Sequence, residues 1–309
     1  MSSLTFDDFE EYADTIEHAQ LQFTLPRVER PYWSIQHREI AGVQLQCGSE
    51  ANGLIVEGAA SSDGYLLFVQ KSGSRCHANG ERMPEGALFV SPPRGEFRLA
   101  SSDAHDWYSL LIPTSLLPAE ACDTAREITT ARLLRPSGGH VEELTRLVGR
   151  LQKTTLGISN SPSEPNANGN AREEILTLAT EILGVREPSP ASADKGMGRP
   201  VVVRDQVISA VRRQIEASAD SPPSVAQLAE FADVSERTLR TVFQEFYGIS
   251  PRRFLHLRRL HKAREALLQR NDGLTIAQIA SSLGFWDLGR FAGDYRRVFG
   301  ESPSTSRSS

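Results

Sequence analysis

The last third of this chain contains the same unit twice, and that constrains its fold more than any other feature. The first copy runs from Ser224 to Pro251 (S-V-A-Q-L-A-E-F-A-D-V-S-E-R-T-L-R-T-V-F-Q-E-F-Y-G-I-S-P). The second runs from Thr275 to Pro303 (T-I-A-Q-I-A-S-S-L-G-F-W-D-L-G-R-F-A-G-D-Y-R-R-V-F-G-E-S-P). Ala229 and Ala280 are 51 residues apart, and Gly248 and Gly300 are 52 apart. Each copy reads as a short apolar helix with a small residue, a sharp break, a second helix and a G-x-S-P stop. That is the pattern of a helix-turn-helix used in tandem.

The residue chemistry of the first copy fits this reading position by position. Ser224 and Gln227 form a capping box for the first helix. Ala229 is small because the second helix crosses close against it, and Asp233 occupies the tight turn. Ser235 caps the second helix, which exposes Glu236, Arg237, Arg240, Thr241 and Gln244 while Leu239, Val242, Phe243 and Phe246 face inward. Gly248 suits a left-handed stop, and Ser250 with Pro251 starts the next helix. The second copy repeats the scheme with Ile279, Ala280, Leu283, Gly284 and Phe285. Its turn is one residue longer, which places Phe291, Tyr295 and Phe299 on the inner face. Between the copies, Pro251 to about Gln269 reads as one helix carrying Phe254, Leu257, Leu260, Leu267 and Leu268. At 1.5 Å per residue it spans about 28 Å, enough to hold two helices in successive major grooves of one DNA face.

Residues from about 203 to 307 resemble the DNA-binding module of the AraC/XylS family of bacterial transcription regulators. The resemblance is carried by L-A-E-F-A-D-V-S-E-R-T-L, by G-I-S-P-R-R-F-L-H-L-R-R-L-H-K-A, by I-A-S-S-L-G-F and by F-G-E-S-P. Within the family, G-F-W-D-L-G-R-F-A-G-D-Y is similar to the branch that includes ethanolamine-operon regulators. Carried over residue by residue, the resemblance implies DNA contacts from Ser235, Glu236, Arg237, Thr238, Arg240, Thr241 and Gln244. It adds Arg252 and Arg253 at the start of the connector, then Trp286, Asp287, Leu288, Gly289, Arg290, Gly293 and Arg297. Arg237, Arg240, Thr241 and Gln244 have the chemistry for base edges, whereas the second set mostly lacks hydrogen-bonding reach. The first copy is therefore expected to dominate specificity. Trp286 has two readings, packing against Phe285 and the connector or standing exposed at a DNA or polymerase surface.

Charge divides the chain in the same place. Residues 199–309 hold 17 Lys+Arg against 12 Asp+Glu, a net of +5. The remaining 17 and 27 give the first 198 residues a net of −10. A basic end on an acidic body is an electrostatic DNA footprint confined to one domain, with Arg252, Arg253, Arg258, Arg259, Lys262 and Arg264 gathered on the connector. The acidic start predicts no signal peptide, and no apolar run is long enough for a membrane span. Cys47, Cys76 and Cys122 are odd in number and widely spaced, as expected of reduced thiols in a cytoplasmic protein.

The N-terminal part reads as β. Leu54–Glu57, Tyr65–Gln70, Ala87–Val90, Glu96–Ala100 and Trp107–Ile112 alternate with turn clusters such as S-S-D-G and P-P-R-G, as in a small barrel or sandwich. The stretch G-Y-L-L-F-V-Q-K-S-G-S…P-E-G-A-L-F-V-S-P-P…F-R-L resembles a cupin-type sensing barrel. A metal cupin needs an H-x-H pair, which is missing: His77 stands alone and His105 falls on an expected loop. No catalytic motif is present, so neither an enzyme nor a cofactor or metal is expected.

Two helices follow, His140 to about Thr155 and Ala171 to Leu183. Their apolar stripes are equally suited to packing on the chain's own barrel and to a dimer contact. The expected architecture is α+β and multidomain. A cupin-like effector-sensing β domain (1–135) precedes a helical dimerisation or connector region (136–186) and a flexible linker (187–200). An all-α DNA-binding domain (201–309) then carries two helix-turn-helix motifs, at about 224–247 and 275–299, joined by the helix at about 251–269. That module, with one continuous apolar core, is expected to fold by itself. The expected function is a cytoplasmic, small-molecule-responsive activator. Its partners would be double-stranded promoter DNA, RNA polymerase, an effector in the N-terminal domain and a second copy of the chain. The alternative is a dimeric DNA-binding protein whose N-terminal domain is an interaction module without a ligand.

Overall fold

The computed structural model describes residues 3–73, 75–84, 87–135, 139–155, 167–184, 203–218, 223–269 and 273–308. The polar linker expected at 187–200 lies outside the described residues, as does most of the polar run before the second of the two middle helices.

The chain opens with β1 (Leu4–Phe6), α1 (Phe9–Ala13), β2 (Ala19–Thr24), β3 (Trp33–Ile40), β4 (Val43–Glu50) and β5 (Ile55–Ala60). It continues through β6 (Gly64–Gly73), β7 (Cys76–Ala78), β8 (Glu81–Met83), β9 (Leu88–Ser91), β10 (Glu96–Ser101) and β11 (His105–Pro113). α2 (Ala119–Ala125), β12 (Arg132–Leu134), α3 (His140–Thr155) and α4 (Ala167–Leu183) complete the N-terminal part. The strands form an antiparallel seven-stranded sheet, ordered β1-β3-β4-β11-β6-β9-β12, and a five-stranded sheet, β2-β5-β10-β7-β8. Among the described residues no ladder joins the two sheets, so the β part is an open sandwich where a closed barrel had been expected.

Strand periodicity builds the layers, because successive side chains point to opposite faces. On the outer face of the large sheet, Leu45, Cys47, Leu67, Val69, Tyr108 and Leu110 pack with Val141, Leu144, Val148, Ile175 and Ile182 of α3 and α4. The stripes of both helices are thus spent on the chain's own sheet. On its inner face, Leu66 and Phe89 meet Phe97 and Leu99 of the small sheet. His105, expected in a loop, is the first residue of β11 and is buried.

The C-terminal part consists of α5 (Arg204–Ala217), α6 (Val225–Phe231), α7 (Glu236–Tyr247), α8 (Pro251–Leu268), α9 (Ile276–Ser282), α10 (Leu288–Phe299) and α11 (Pro303–Ser308). Its apolar interior falls into two clusters rather than one continuous core, and each takes in residues of the β part. Val211, Leu228, Leu239, Phe243 and Phe254 pack with Ile55 and Ala100. Leu257, Leu260, Ala280, Phe291 and Tyr295 belong with Phe9, Trp33 and Trp107. Leu268, read as part of the apolar stripe of α8, is exposed.

Candidate nucleic-acid interface

Each helix pair is fixed by its own caps. Ser224 and Gln227 close one capping box at α6, and Thr275 and Gln278 close another at α9. The breaks match: Val234 N donates to Ala229 O at 3.0 Å, and Phe285 N donates to Ala280 O at 2.9 Å; the second turn then runs one residue further, through Trp286, to its cap at Asp287. A left-handed residue makes each break, Asp233 (φ 51°) in one copy and Gly284 (φ 79°) in the other. Asp tolerates this region better than most residues because its short side chain is compatible with tight turns. Left-handed Gly248 and Gly300 end α7 and α10, and Ser250 caps α8 with Pro251 in its first turn.

The second helix of each pair presents its polar face to solvent. Ser235, Glu236, Arg237, Arg240, Thr241 and Gln244 are exposed and Thr238 is half-buried. Several of them are engaged along the helix. Arg240 pairs with Glu236 at 2.6 Å, Thr241 Oγ1 donates to Arg237 O at 3.2 Å, and Gln244 Nε2 donates to Gly248 O at 2.9 Å. The side chain of Arg237 stands clear of these bonds. In the second copy Leu288, Gly289, Arg290, Gly293 and Arg297 are exposed. Asp287 serves α10 as its N-cap, accepting from Arg290 N at 2.9 Å. Asp294 gathers Arg297 at 2.7 Å and, across to α8, His256 at 3.1 Å, locking the second helix pair onto the connector. Trp286 is 85% exposed, so the packing reading of this residue fails.

The connector departs from its expected role. Of the basic side chains read as a DNA footprint, Arg252 is exposed, but others turn into the protein. Arg253 donates to Pro26 O at 2.9 Å, and burial lowers its pKa. Arg259 lies over the Phe285 ring, 5.4 Å from its centroid. Arg258 reaches Glu57 at 3.9 Å. Arg264, only 5% exposed, holds Asp8 at 2.9 Å together with Glu10 and Glu301. Burial disfavours its charge, yet Glu10, Tyr295 and Glu301 raise its pKa above the ordinary range. A second polar junction surrounds buried Glu57, which accepts from Tyr247 Oη at 2.8 Å and sits 3.9 Å from Arg98. Burial and then the Glu57 carboxylate push the Tyr247 phenol up. Arg98 in turn donates to Asp205 of α5 at 3.0 Å. These junctions went unread because their partners lie 37 to 256 residues apart, and no local pattern announces them.

Two tandem helix pairs with exposed polar second helices, set on a β-rich body, define a DNA-binding transcription regulator. Residues 228–309 match the family model described as a helix-turn-helix domain. Over 284 residues the chain is 36% identical to the XylDLEGF operon transcriptional activator 1 of Pseudomonas putida, covering 91% of this chain and 83% of that one. The probable thc operon regulatory protein of Rhodococcus erythropolis is 44% identical over 93 residues, 29% of this chain and 27% of that protein. A crystal structure of a probable AraC family transcriptional regulator from Rhodopseudomonas palustris CGA009 is 34% identical. It covers 33% of this chain and 94% of its own, with a TM-score of 0.31. The chain belongs to the AraC/XylS family of transcription regulators and is not an enzyme. No helix among the described residues is long and apolar enough to cross a membrane.

Proposed function

We propose that this regulator is a ligand-responsive activator that works in the cytoplasm as a homodimer, with a cupin-like sensing domain controlling the DNA-binding helices. α7 reads base edges through Arg237, Arg240, Thr241 and Gln244, and α10 with Arg252 binds mainly the DNA backbone. Trp286 projects toward the DNA or toward RNA polymerase. The observation that carries the sensing half is a void of about 70 Å³ between the two sheets, walled by apolar side chains with a few buried polar groups. The lining has the mixture found in small-molecule sites, but the volume is well below the roughly 300 Å³ at which such sites begin, so a ligand must be very small or part the sheets. The interaction-module alternative requires no such cavity.

Gel shifts of the full chain on its promoter, across a salt series, test the reading. Several Lys and Arg contacts to phosphate give a steep salt dependence, and a dimer binds paired half-sites far more tightly than one half-site. Equal affinity for one and two half-sites would reject the dimer. Transcription that responds to no small molecule would leave the interaction-module reading standing.

A further inference from the structure

α7 and α10 repeat one helix in register. Each has 12 residues, with a capping side chain that accepts a backbone N–H at its start and a left-handed glycine at its end. The caps Ser235 and Asp287 are 52 residues apart, and so are the stops Gly248 and Gly300. The inner faces keep the same offset: Leu239 and Phe291, Phe243 and Tyr295, and Phe246 and Val298 are all buried. The outer face therefore carries across position by position. Arg237, Arg240, Thr241 and Gln244 of α7 fall on Gly289, Ala292, Gly293 and Arg296 of α10. Glycine or alanine takes every position but the last, which is an arginine.

The arginines of α10 are not alike. Arg297 is held by Asp294 at 2.7 Å, and Arg290 lies 3.8 Å from the same carboxylate. Arg296 is exposed, and among the described residues its side chain has no partner. Helical side chains lean toward the helix N-terminus, so Arg296 sweeps over the turn that carries Ala292 and Gly293. That turn is cleared of bulk. A Cβ built on Gly293 would meet nothing within 4 Å, and one on Gly289 only Asp287 Oδ1 at 3.4 Å. Neither glycine has the positive φ that would demand it. Glycine within a helix is destabilising relative to alanine, and no contact among the described residues requires it here. A bare face lets the helix sit deep in a groove and leaves one long side chain to meet the bases. The planar guanidinium fork matches O6 and N7 of guanine. We propose that Arg296 is the base-reading residue of the second helix pair, donating to one guanine in the major groove, while Arg290 and Arg297 serve the backbone. This rests on the proposed DNA contacts of the two helices and gives α10 one sequence-specific contact.

Full-length wild type, Arg296→Ala, Arg296→Lys and Arg237→Ala are each used to select from a randomised operator library, and affinity for the wild-type site is followed across a salt series. The wild type should select a G·C pair that Arg296→Ala no longer prefers, at a different position from the preference lost in Arg237→Ala. Arg296→Ala should bind the selected site about tenfold more weakly, about 1.4 kcal/mol. On a site with that pair replaced, it should bind about as well as the wild type. Arg296→Lys keeps the charge without the fork, so it should keep the salt slope while relaxing the same preference. The side chain is exposed, and both substitutions should leave the melting temperature unchanged. Arg296→Ala that weakens every sequence alike and lowers the salt slope by about one overturns the proposal in favour of a phosphate contact. A preference lost in Arg237→Ala and intact in both Arg296 variants also overturns it, while leaving α7 as the reading helix. Wild type that selects no sequence overturns the proposed base contacts of both helices together.

Discussion

Arg264 and Asp8 meet at 2.9 Å, joining the connector helix of the DNA-binding part to the N-cap of α1 at the start of the chain. Four residues further along, Tyr12 donates to Glu50 in the cavity. α1 therefore touches the void with one side chain and the DNA-binding helices with others, including Glu10.

Arg264→Ala leaves Asp8, Glu10 and Glu301 around an empty position. Breaking a buried ion pair by removing one partner costs about 3–5 kcal/mol, and the partial exposure of these carboxylates points to the lower end. Urea denaturation of the full chain should show a loss of about 3 kcal/mol. A loss below about 1 kcal/mol would mean that solvent already screens the cluster.

His261 gives the docking of the two parts a pH dependence. Its Nε2 accepts from Leu25 N at 3.1 Å, and burial, with Arg258 and Arg264 nearby, lowers its pKa from 6.5 to about 4. His18, buried near His37, is lowered from 6.5 to about 4 as well. Between these values the unfolded chain binds protons that the folded chain does not. Stability therefore rises with pH through this window and falls as pH drops from 6.5 toward 4. The limiting slope is about 1.4 kcal/mol per pH unit for each histidine. Urea midpoints measured from pH 7 to pH 4.5 should show this fall, and His261→Gln should flatten it. A wild-type profile unchanged by that substitution would assign the acid sensitivity elsewhere.

The helix pairs were legible because their determinants are local. A cap three residues from its backbone donor, a left-handed turn residue and a glycine stop all fall within one short window, so Ser224, Asp233 and Gly248 declared their positions. Five strands between Leu54 and Ile112 were read for the same reason, while the three-residue β7 and β8 were too short to show a period. β4 was not, although Val43, Leu45 and Cys47 alternate with Gln44 and Gln46 as a strand's residues should: the polar face that such a pattern assigns to solvent is turned inward here, with Gln46 and Glu50 buried. The connector arginines misled in a different way. Composition registers a cluster of positive charge, but only the fold brings Asp8, Glu10 and Glu57 to meet it.

In the proposed reading, Arg237 and Arg290 give the two exposed helices different roles. Arg237 extends from the first turn of α7 without a partner along the helix, while Arg290 lies 3.8 Å from Asp294 beside glycines that reach no base. Arg237→Ala should cost roughly 1–3 kcal/mol in promoter affinity and relax preference at one or two base pairs. Arg290→Ala should weaken binding evenly across sequences. Binding to a randomised operator library reads both, and a larger loss of specificity from Arg290→Ala would reverse the assignment.

Trp286 tests what an exposed aromatic is for. The indole is 85% exposed in the turn between α9 and α10, while the adjacent Phe285 is buried against Phe291 at a centroid distance of 4.9 Å. Burial of Phe285, not of Trp286, therefore fixes the turn. Surface substitutions away from packing or caps usually change stability by no more than about 0.5 kcal/mol, so Trp286→Ala should melt with the wild type. Phe285→Ala removes a buried ring and should cost about 3–5 kcal/mol. If Trp286 meets DNA, the Trp286→Ala chain will bind its promoter more weakly at unchanged stability. If it meets polymerase instead, promoter binding will persist and transcription activation will fall. Loss of thermal stability in proportion to DNA affinity would return the residue to a packing role.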